Sequence, residues 1–538
     1  MVQFCLTCGA ASPPLNPPLP PPDSSLNITH LLKSNDAPLD SQIPLVRECI
    51  SNEQNQVAAL DAHIESLDAH IKSLNAQIKS VKSSLAEVAK KRVAAKKRIR
   101  QHHAVLATVR RMPPELLCEI FAWTLLDASA NAAKAKPPWY LGHVCQSWRH
   151  AAVSHPALWA SIVIDCAMPT DDTLLLPAKA IRLLSRTEVQ LLRSGDVDLD
   201  IRLLNVGSNV NPRIVDMVLP HCRRWRSLTF SVQRNTECAL HWLRPVDGRL
   251  DRLETLRLVD AEKAVIPDIF STAPNLRKVF LNNWQFSRHS PTIVIPWGQI
   301  THYHGYDTLE RQLNILRSAP NLVECAVSSR HNFNDEDPPH GNQIVLPCLH
   351  RLRMEPADTL AHITAPSVQE VSLRLFNPLA PLLLPSIQRS SCTITKLVVQ
   401  STITASDLVS ALKGLPLLSY LLLENRDYSR TDSPEYVSLF RAMASADICP
   451  NLTSFVYGFR FKATNSKYLD SLFKMVRSRF GPNLNYPHHP GYVRIFHRAE
   501  DYSLPSSARS QIRKLRAEGF DIAFLNPQQT ASLRETLY

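Results

Sequence analysis

PNLRKVFL at residues 274–281 recurs as PNLVECAV at 320–327, PCLHRLRM at 347–354, PSVQEVSL at 366–373, PLLSYLLL at 416–423 and PNLTSFVY at 450–457. Each copy places apolar residues two, five and seven positions after its proline. The last two of these are alternate residues, the spacing that sends side chains to one face of a β-strand. The proline ahead of them stops a preceding helix and sets the turn into the strand. The same spacing occurs without proline at Trp225/Leu228/Phe230, Leu253/Leu256/Leu258 and Ile394/Leu397/Val399, with a weak copy at Ile300/Tyr303/Gly305. Starts fall 19 to 34 residues apart.

A short strand followed by a helix cannot bury its apolar face alone, but a stack of such units can. The period is near the roughly 20 to 29 residues of leucine-rich repeats, here degenerate and without the Asn or Cys of that consensus. Residues 223–462 therefore read as degenerate leucine-rich repeats, and 166–222 as a linker and the start of the solenoid. Residues 463–538 read as a capping repeat: a helix from Lys467, the strand YVRIFHR, a polar helix in SSARSQIRKLRAEG and the strand FDIAFL. In such a stack the side chains between the buried ones line the concave face. These are Lys278, Phe280, Asn282, Arg351, Arg353, Glu370, Arg374, Lys396, Tyr420 and Glu424. Mixed charge with exposed aromatics suits a protein target.

Glycine is scarce, at 13 of 538 residues against a usual share of about 7%, and no two glycines stand as G-x-G. Dinucleotide and Walker-type phosphate loops need glycine for close backbone approach and are excluded; G-x-S-x-G and H-E-x-x-H are absent as well. No catalytic residue and no cofactor is expected, and the chain reads as a binding protein rather than an enzyme. Cys5 and Cys8 form a single C-x-x-C without the further ligands that a closed zinc site requires, so no metal is expected. Twelve scattered cysteines read as reduced thiols. No apolar run approaches the roughly 18 residues of a membrane helix, and the opening MVQFCLTCGA lacks the basic flank of a secretory signal. An intracellular protein, cytoplasmic and/or nuclear, with no membrane partner is expected.

Nine Lys/Arg and no Asp/Glu lie between Val88 and Pro114, which leaves +3 of the net +12 for the rest of the chain. The basicity is local, so nucleic acid is not an expected partner of the body. The two KKR runs at 90–92 and 96–98 fit an import signal, a nucleic-acid contact or a solvated helix face. Residues 1–55, with seven prolines in 13–22, read as a mostly disordered segment. From 56 to 110 the chain repeats every seven residues, LDAHIES, LDAHIKS, LNAQIKS. Val57, Ile64, Ile71, Ile78 and Leu85 take position a, and Leu60, Leu67, Leu74, Val81 and Val88 take position d. Isoleucine at a with leucine at d favours a parallel homodimer; a helix packed on its own body shows the same stripe.

After Arg111 the chain reads MPPELLCEIFAWTLL, with prolines suited to a first helical turn and Leu116, Leu117, Ile120, Phe121 and Leu125 forming a wide apolar stripe. Leu141, Val144, Cys145, Trp148 and Ala152 form a second stripe, and Pro156 opens a short third helix with Leu158 and Trp159. RMPPELLCEIF followed by VCQSWRHAAVSHPALWASI resembles the F-box-like domain of fungal F-box proteins, and HLLKSNDAPLD with the heptad helix resembles what precedes it there. The resemblance covers residues 27–165 closely and the repeats only in general plan. It implies a module at 111–165 that docks the Skp adaptor subunit of a Skp/cullin/F-box ubiquitin ligase, presenting the target to that ligase. By motif position, Met112, Pro113, Leu116, Leu117, Ile120 and Phe121 contribute the docking surface; Val144, Trp148, Leu158 and Trp159 supply the rest or the module's own core. The expected fold class is α/β multidomain: an N-terminal coiled-coil helix, a three-helix F-box-like module and a leucine-rich-repeat solenoid.

Overall fold

The computed structural model of the chain describes residues 31, 33, 36–126, 138–167, 178–207, 210–233, 238–261, 264–282, 293–329, 343–375, 378–401, 404–425, 434–445, 447–459, 466–480, 491–497 and 504–537. The chain is α/β, with a long N-terminal helix and a large parallel sheet. It divides into two units, residues 1–112 and 113–538. The proline-rich stretch and the Cys5/Cys8 pair lie outside the described residues.

The first unit is built on α1, Ile43–Leu106, 64 residues long and so roughly 96 Å at 1.5 Å per residue. It starts ahead of the expected residue 56 because Pro44 sits in the first turn, where no N–H is required. From Leu45 to Gln56 no glycine or proline interrupts the helix. It stops at Ala107, whose backbone is extended (φ −57°, ψ 130°), and a 3-10 turn follows at Thr108–Arg111. No residue of α1 is buried. All ten a and d side chains from Val57 to Val88 are exposed, so the apolar stripe is open along its length.

In the second unit fourteen parallel strands form one sheet in which each strand pairs with the next sheet strand along the chain, from Ser161–Asp165 to Asp521–Phe524. Every copy of the repeated phrase lies on one of these strands, including the weak one, at His302–Asp307. The fifth-position residues come into register across the sheet as Leu228, Leu256, Val279, Tyr303, Cys325, Leu352, Val371, Leu397, Leu421 and Phe455. All are buried in one continuous core, which the connecting segments cover. Some connections are helices, such as Leu309–Ser318 and Ala405–Lys413, and others are 3-10 turns, such as His241–Val246 and Ala357–His362. Two further pairs of short strands, Cys238–Ala239 with Ala264–Val265 and Ile344–Val345 with Ile363–Thr364, lie outside the large sheet.

Gly305 stands where the other copies carry a large apolar residue. A Cβ added there would overlap the Tyr303 phenol and lie only 3.0 Å from its Cε1. Tyr303 reaches across both inward positions of its strand, its hydroxyl donating to Gln312 Oε1 at 2.9 Å.

The sheet begins one strand ahead of the expected start of the solenoid in residues 166–222. Ser161–Asp165 and Leu199–Val206 are its first two strands, and Ile162, Ile164, Leu199, Ile201 and Leu203 are buried. At the other end Tyr492–His497 and Asp521–Phe524, the two strands expected within residues 463–538, extend the sheet, and a last helix, Pro527–Leu537, follows. Leu533 of that helix and Leu525 pack on a separate cluster of Val398, Leu422, Val456 and Phe496. Those four are the outward residues of their strands, so the sheet carries apolar matter on both faces there. The near-continuous apolar runs KLVVQ, YLLLE and SFVYG are what strands buried on both sides show.

Candidate functional site

Two surfaces stand out in residues 113–538. The first is on the helical module. Its opening helix α2, Pro114–Leu126, has Pro114 at its start and Glu115 in the first turn, where a negative charge complements the helix dipole. The wide stripe expected on α2 divides in two. Leu117 and Phe121 are 1% exposed and Cys118 is buried beside them, whereas Leu116 is 54%, Ile120 43% and Trp123 70% exposed. Residues 116, 120 and 123 are spaced four and three apart, so they share one face.

Leu117 and Phe121, expected on the docking surface, are thus interior, and Leu158 and Trp159 take the second of the two places expected of them, the module's own core. The reason is local packing. The Phe121 ring lies 4.9 Å from that of Trp148 on α3 (Gln146–Ser154), which is half-buried. The Trp159 indole N–H donates to the Ala152 carbonyl at 2.7 Å. Trp139 meets Trp159 edge-on at 4.8 Å, and the Arg193 guanidinium lies 4.5 Å from the Trp159 ring centre. Arg193 belongs to the helix Ala178–Arg193, so this cation–π contact ties the module to the first units of the sheet. Pro113 and Val144 are exposed, and Met112 is half-buried. Trp123, absent from the expected surface, is its most exposed apolar member. Its seven-residue separation from Leu116 was the available signal.

The second surface is the sheet face opposite the main core. Strand register sets its side chains in rows. One row runs Lys278, His302, Glu324, Arg351, Glu370, Lys396, Tyr420. The next runs Arg202, Thr229, Arg257, Phe280, His304, Ala326, Arg353, Ser372. Lys278, Arg351, Arg353, Glu370, Lys396 and Tyr420 therefore come together as expected, and Arg374 and Glu424 lie on the same face one row further on. The side chain of Asn282 lies outside those described.

Ion pairs lace the first row and join it to the second. His304 Nε2 lies 3.2 Å from Glu324 Oε1; Arg351 reaches Glu324 at 3.4 Å and Glu370 at 3.4 Å; Lys396 Nζ reaches Glu370 at 3.1 Å. Arg374 pairs with Glu355. The hydrogen bond from His304, helped by the charges of His304, His302 and Arg351 and opposed by burial, holds the Glu324 carboxyl down at about 2. Burial, then the nearby Lys278 charge, pushes the His302 imidazole below its ordinary value.

Two expected contact residues are covered. Phe280 is buried between the Arg257 guanidinium, 3.7 Å from its ring centre, and the His304 ring, edge-on at 4.7 Å. Glu424 is 3% exposed and accepts from Gln400 Nε2 at 2.9 Å. Tyr420, half-buried, leans on the Val398/Leu422 cluster, with Lys396 Nζ 5.4 Å from its ring. His302, His304, Arg202, Arg257 and Glu324 belong to the surface too. All but Arg202 occupy an outward position of a strand that the repeated phrase marks, which was the signal for them; Arg202 stands on Leu199–Val206, where no copy of the phrase occurs.

Among the described residues no group of His, Cys, Asp and Glu is placed to hold a metal ion, and no helix is long and apolar enough to cross a membrane. Burial pushes the Cys166 thiol up to about 12 and raises Cys325 further, so neither is a thiolate at neutral pH. Comparison with protein-family models gives no match, and comparison with curated proteins finds no similar sequence.

Proposed function

We propose that the chain is a substrate-recognition adaptor of a Skp/cullin/F-box ubiquitin ligase acting in the cytoplasm or nucleus. On this reading residues 111–165 are an F-box-like module that docks the Skp subunit, and the fourteen-stranded unit is a degenerate leucine-rich-repeat solenoid whose open face holds a protein target. One observation carries it. Leu116, Ile120 and Trp123 stay exposed on α2 although the opposite side of the same helix is fully packed by Leu117, Phe121 and Trp148. An apolar stripe with an aromatic anchor beside a completed core is the composition of a protein-docking surface. The pairing of strands in chain order and the period of the repeated phrase support the solenoid half of the reading.

The chain then acts by holding two partners near each other. It raises the effective concentration of target lysines at the ligase and supplies no reacting group of its own. The open stripe of α1 fits pairing with a second copy, which would present two targets or two ligases together. The test is co-purification of the intact chain with the Skp subunit beside an Ile120→Asp variant. Ile120 is already 43% exposed, so the variant folds and keeps its circular dichroism while losing the partner. No capture by the intact chain, or full capture by the variant, refutes the docking role.

A further inference from the structure

Building on the reading of the open stripe of α1 as a seam for a second copy of the chain, we propose that the two copies run antiparallel, in the register that sets Glu53 of each against Arg92 of the other.

The seam register of the central repeats extends through the helix. Upstream it puts Ile43 and Ile50 at a, Val46 and Glu53 at d; downstream it puts Arg92 and Ile99 at a, Ala95 and His102 at d. Glu53 and Arg92 are thus the Asp, Glu, Lys or Arg residues of the seam between Ile43 and His102, and both are exposed. They stand 39 residues apart on one helix, roughly 58 Å, so they cannot meet within a copy.

Parallel helices in register set every seam residue on its own twin. Glu53 then faces Glu53 and Arg92 faces Arg92, and the seam holds two like-charged layers. Running one helix backwards exchanges a for d across each layer. With Val57 on Val88, the ten apolar residues of the central repeats pair only with one another, inward to Ile71 on Leu74. The same register brings Glu53 onto Arg92 and, further out, Val46 onto Ile99. Sliding one copy by a heptad sets Glu53 on Ile99 or Leu85, and Arg92 on Leu60 or Val46, so both charges lose their partner against aliphatic side chains. A single register therefore closes the apolar stripe and pairs the charges.

Charge along the helix has the same sense. Residues 43–72 carry five carboxylates and two cations, and residues 73–102 carry one carboxylate and nine cations. The antiparallel pair lays each acidic half along the other copy's basic half, where parallel helices lay basic on basic. At the flanking e sites Asp61 lies next to Lys82 of the other copy and Arg47 next to its Lys96, one contact favourable and one not. Parallel helices instead set Lys91 beside Lys96 and Arg98 beside His103, with His63 beside Asp68 in their favour. Isoleucine at a with leucine at d favours parallel helices through side-chain shape. That preference acts among aliphatic residues of similar volume, whose exchange is well tolerated, whereas like or unpaired charges in a seam are strongly penalised. The orientation also fixes where the rest of each chain starts. The two Leu106 ends lie at opposite ends of the rod, about 100 Å apart, and residues 107–538 of the two copies leave it there.

The test is sedimentation equilibrium of the full chain. Glu53→Gln leaves each Arg92 without the carboxylate of the other copy and should raise the dimer Kd by roughly tenfold or more. Glu53→Arg should raise it further, and adding Arg92→Glu should restore it to within about threefold of the unaltered chain. Parallel helices predict the opposite sign, because Glu53→Gln then removes a like-charged layer and tightens the dimer, and exchanging both charges changes nothing. Both positions are exposed in the single copy, so neither substitution disturbs its fold. Zero-length carbodiimide coupling gives a second reading. Asp61 and Lys82 stand 21 residues apart, roughly 32 Å, on one helix, so they join only between antiparallel copies. A Kd lowered or unchanged by Glu53→Gln, failure of the exchanged pair to restore it, or a coupled dimer without the Asp61–Lys82 product overturns the orientation and leaves the pairing standing. A full chain that stays monomeric at micromolar concentration overturns both. Capture of the Skp subunit by the same preparations tests the adaptor reading separately.

Discussion

Replacing Gly305 by leucine would give the weak copy the residue type that the other copies carry at that position, yet the structure predicts that the protein loses stability. A Cβ at residue 305 overlaps the Tyr303 phenol. The phenol has nowhere to go, because Tyr303 is 1% exposed, its hydroxyl is bonded to the fully buried Gln312, and its ring abuts Trp297 edge-on at 5.4 Å. Overpacking of this kind costs roughly 1–3 kcal/mol, and loss of the buried hydrogen bond adds ~1 kcal/mol. Gly305→Leu should therefore destabilise by about 2–4 kcal/mol. Tyr303→Leu alone leaves part of the phenol volume empty and costs about 2–4 kcal/mol. Together the two substitutions recreate the leucine pair of the strand at Thr255–Val259, so the double variant should be more stable than either single one, with a coupling of ~2 kcal/mol. The assay is urea unfolding followed by tryptophan fluorescence, for which Trp297 is a local reporter, with midpoints compared at unchanged slope. A stable Gly305→Leu protein, or strictly additive losses in the double variant, would refute the reasoning.

The remaining expectations concern other parts of the chain. Ile71→Asp, at a central a position of α1, should convert a dimer to a monomer in sedimentation, since each copy forfeits roughly 1–2 kcal/mol of apolar burial and gains a charge in the seam; an intact chain already monomeric at micromolar concentration defeats the pairing. Glu324 has its folded-state pKa at about 2, below the ordinary 4.5, so its contribution is complete above about 4.5 and disappears as pH falls through about 2. Glu324→Gln should flatten that acid limb, measured as a smaller drop in urea midpoint from pH 6 to pH 3; an unchanged drop counts against the His304 pairing. Deleting residues 525–538 uncovers Val398, Leu422, Val456 and Phe496, each at most 2% exposed in the intact chain. A rise in anilinonaphthalene sulfonate fluorescence is expected, and none would mean that the last helix does not cover them.

Sequence spacing located the strands well where a long-range constraint is written locally. Residues five and seven after each proline must both face inward, so the copies from Trp225 to Tyr457 announce their strands. SIVID and LDIRLLNV alternate just as well, but without the phrase around them they are too short to separate from a loop or the end of a helix. The open face was legible residue by residue and not as rows, because a row depends on register between strands, which short-range periodicity does not encode. On α2 the four apolar residues Leu116, Leu117, Ile120 and Phe121 span an arc wider than one neighbour covers. Periodicity says that the arc exists; only the position of Trp148 and Cys118 decides which edge turns inward. The last helix escaped notice because Leu533, the half-buried residue that packs on the outer cluster, has no periodic apolar partners to reveal it.

Because every sheet strand is bonded to the sheet strands just before and after it along the chain, tension applied to the two ends of the sheet is carried in series through thirteen junctions. No junction is shielded by another, so pulling should peel the array from an end, one unit after the next. Each release of roughly 25 residues lengthens the tether by about 90 Å. Under load the protein is a train of small latches, able to pay out length and recover it stepwise, where a sheet of shuffled strand order would hold and then fail at once.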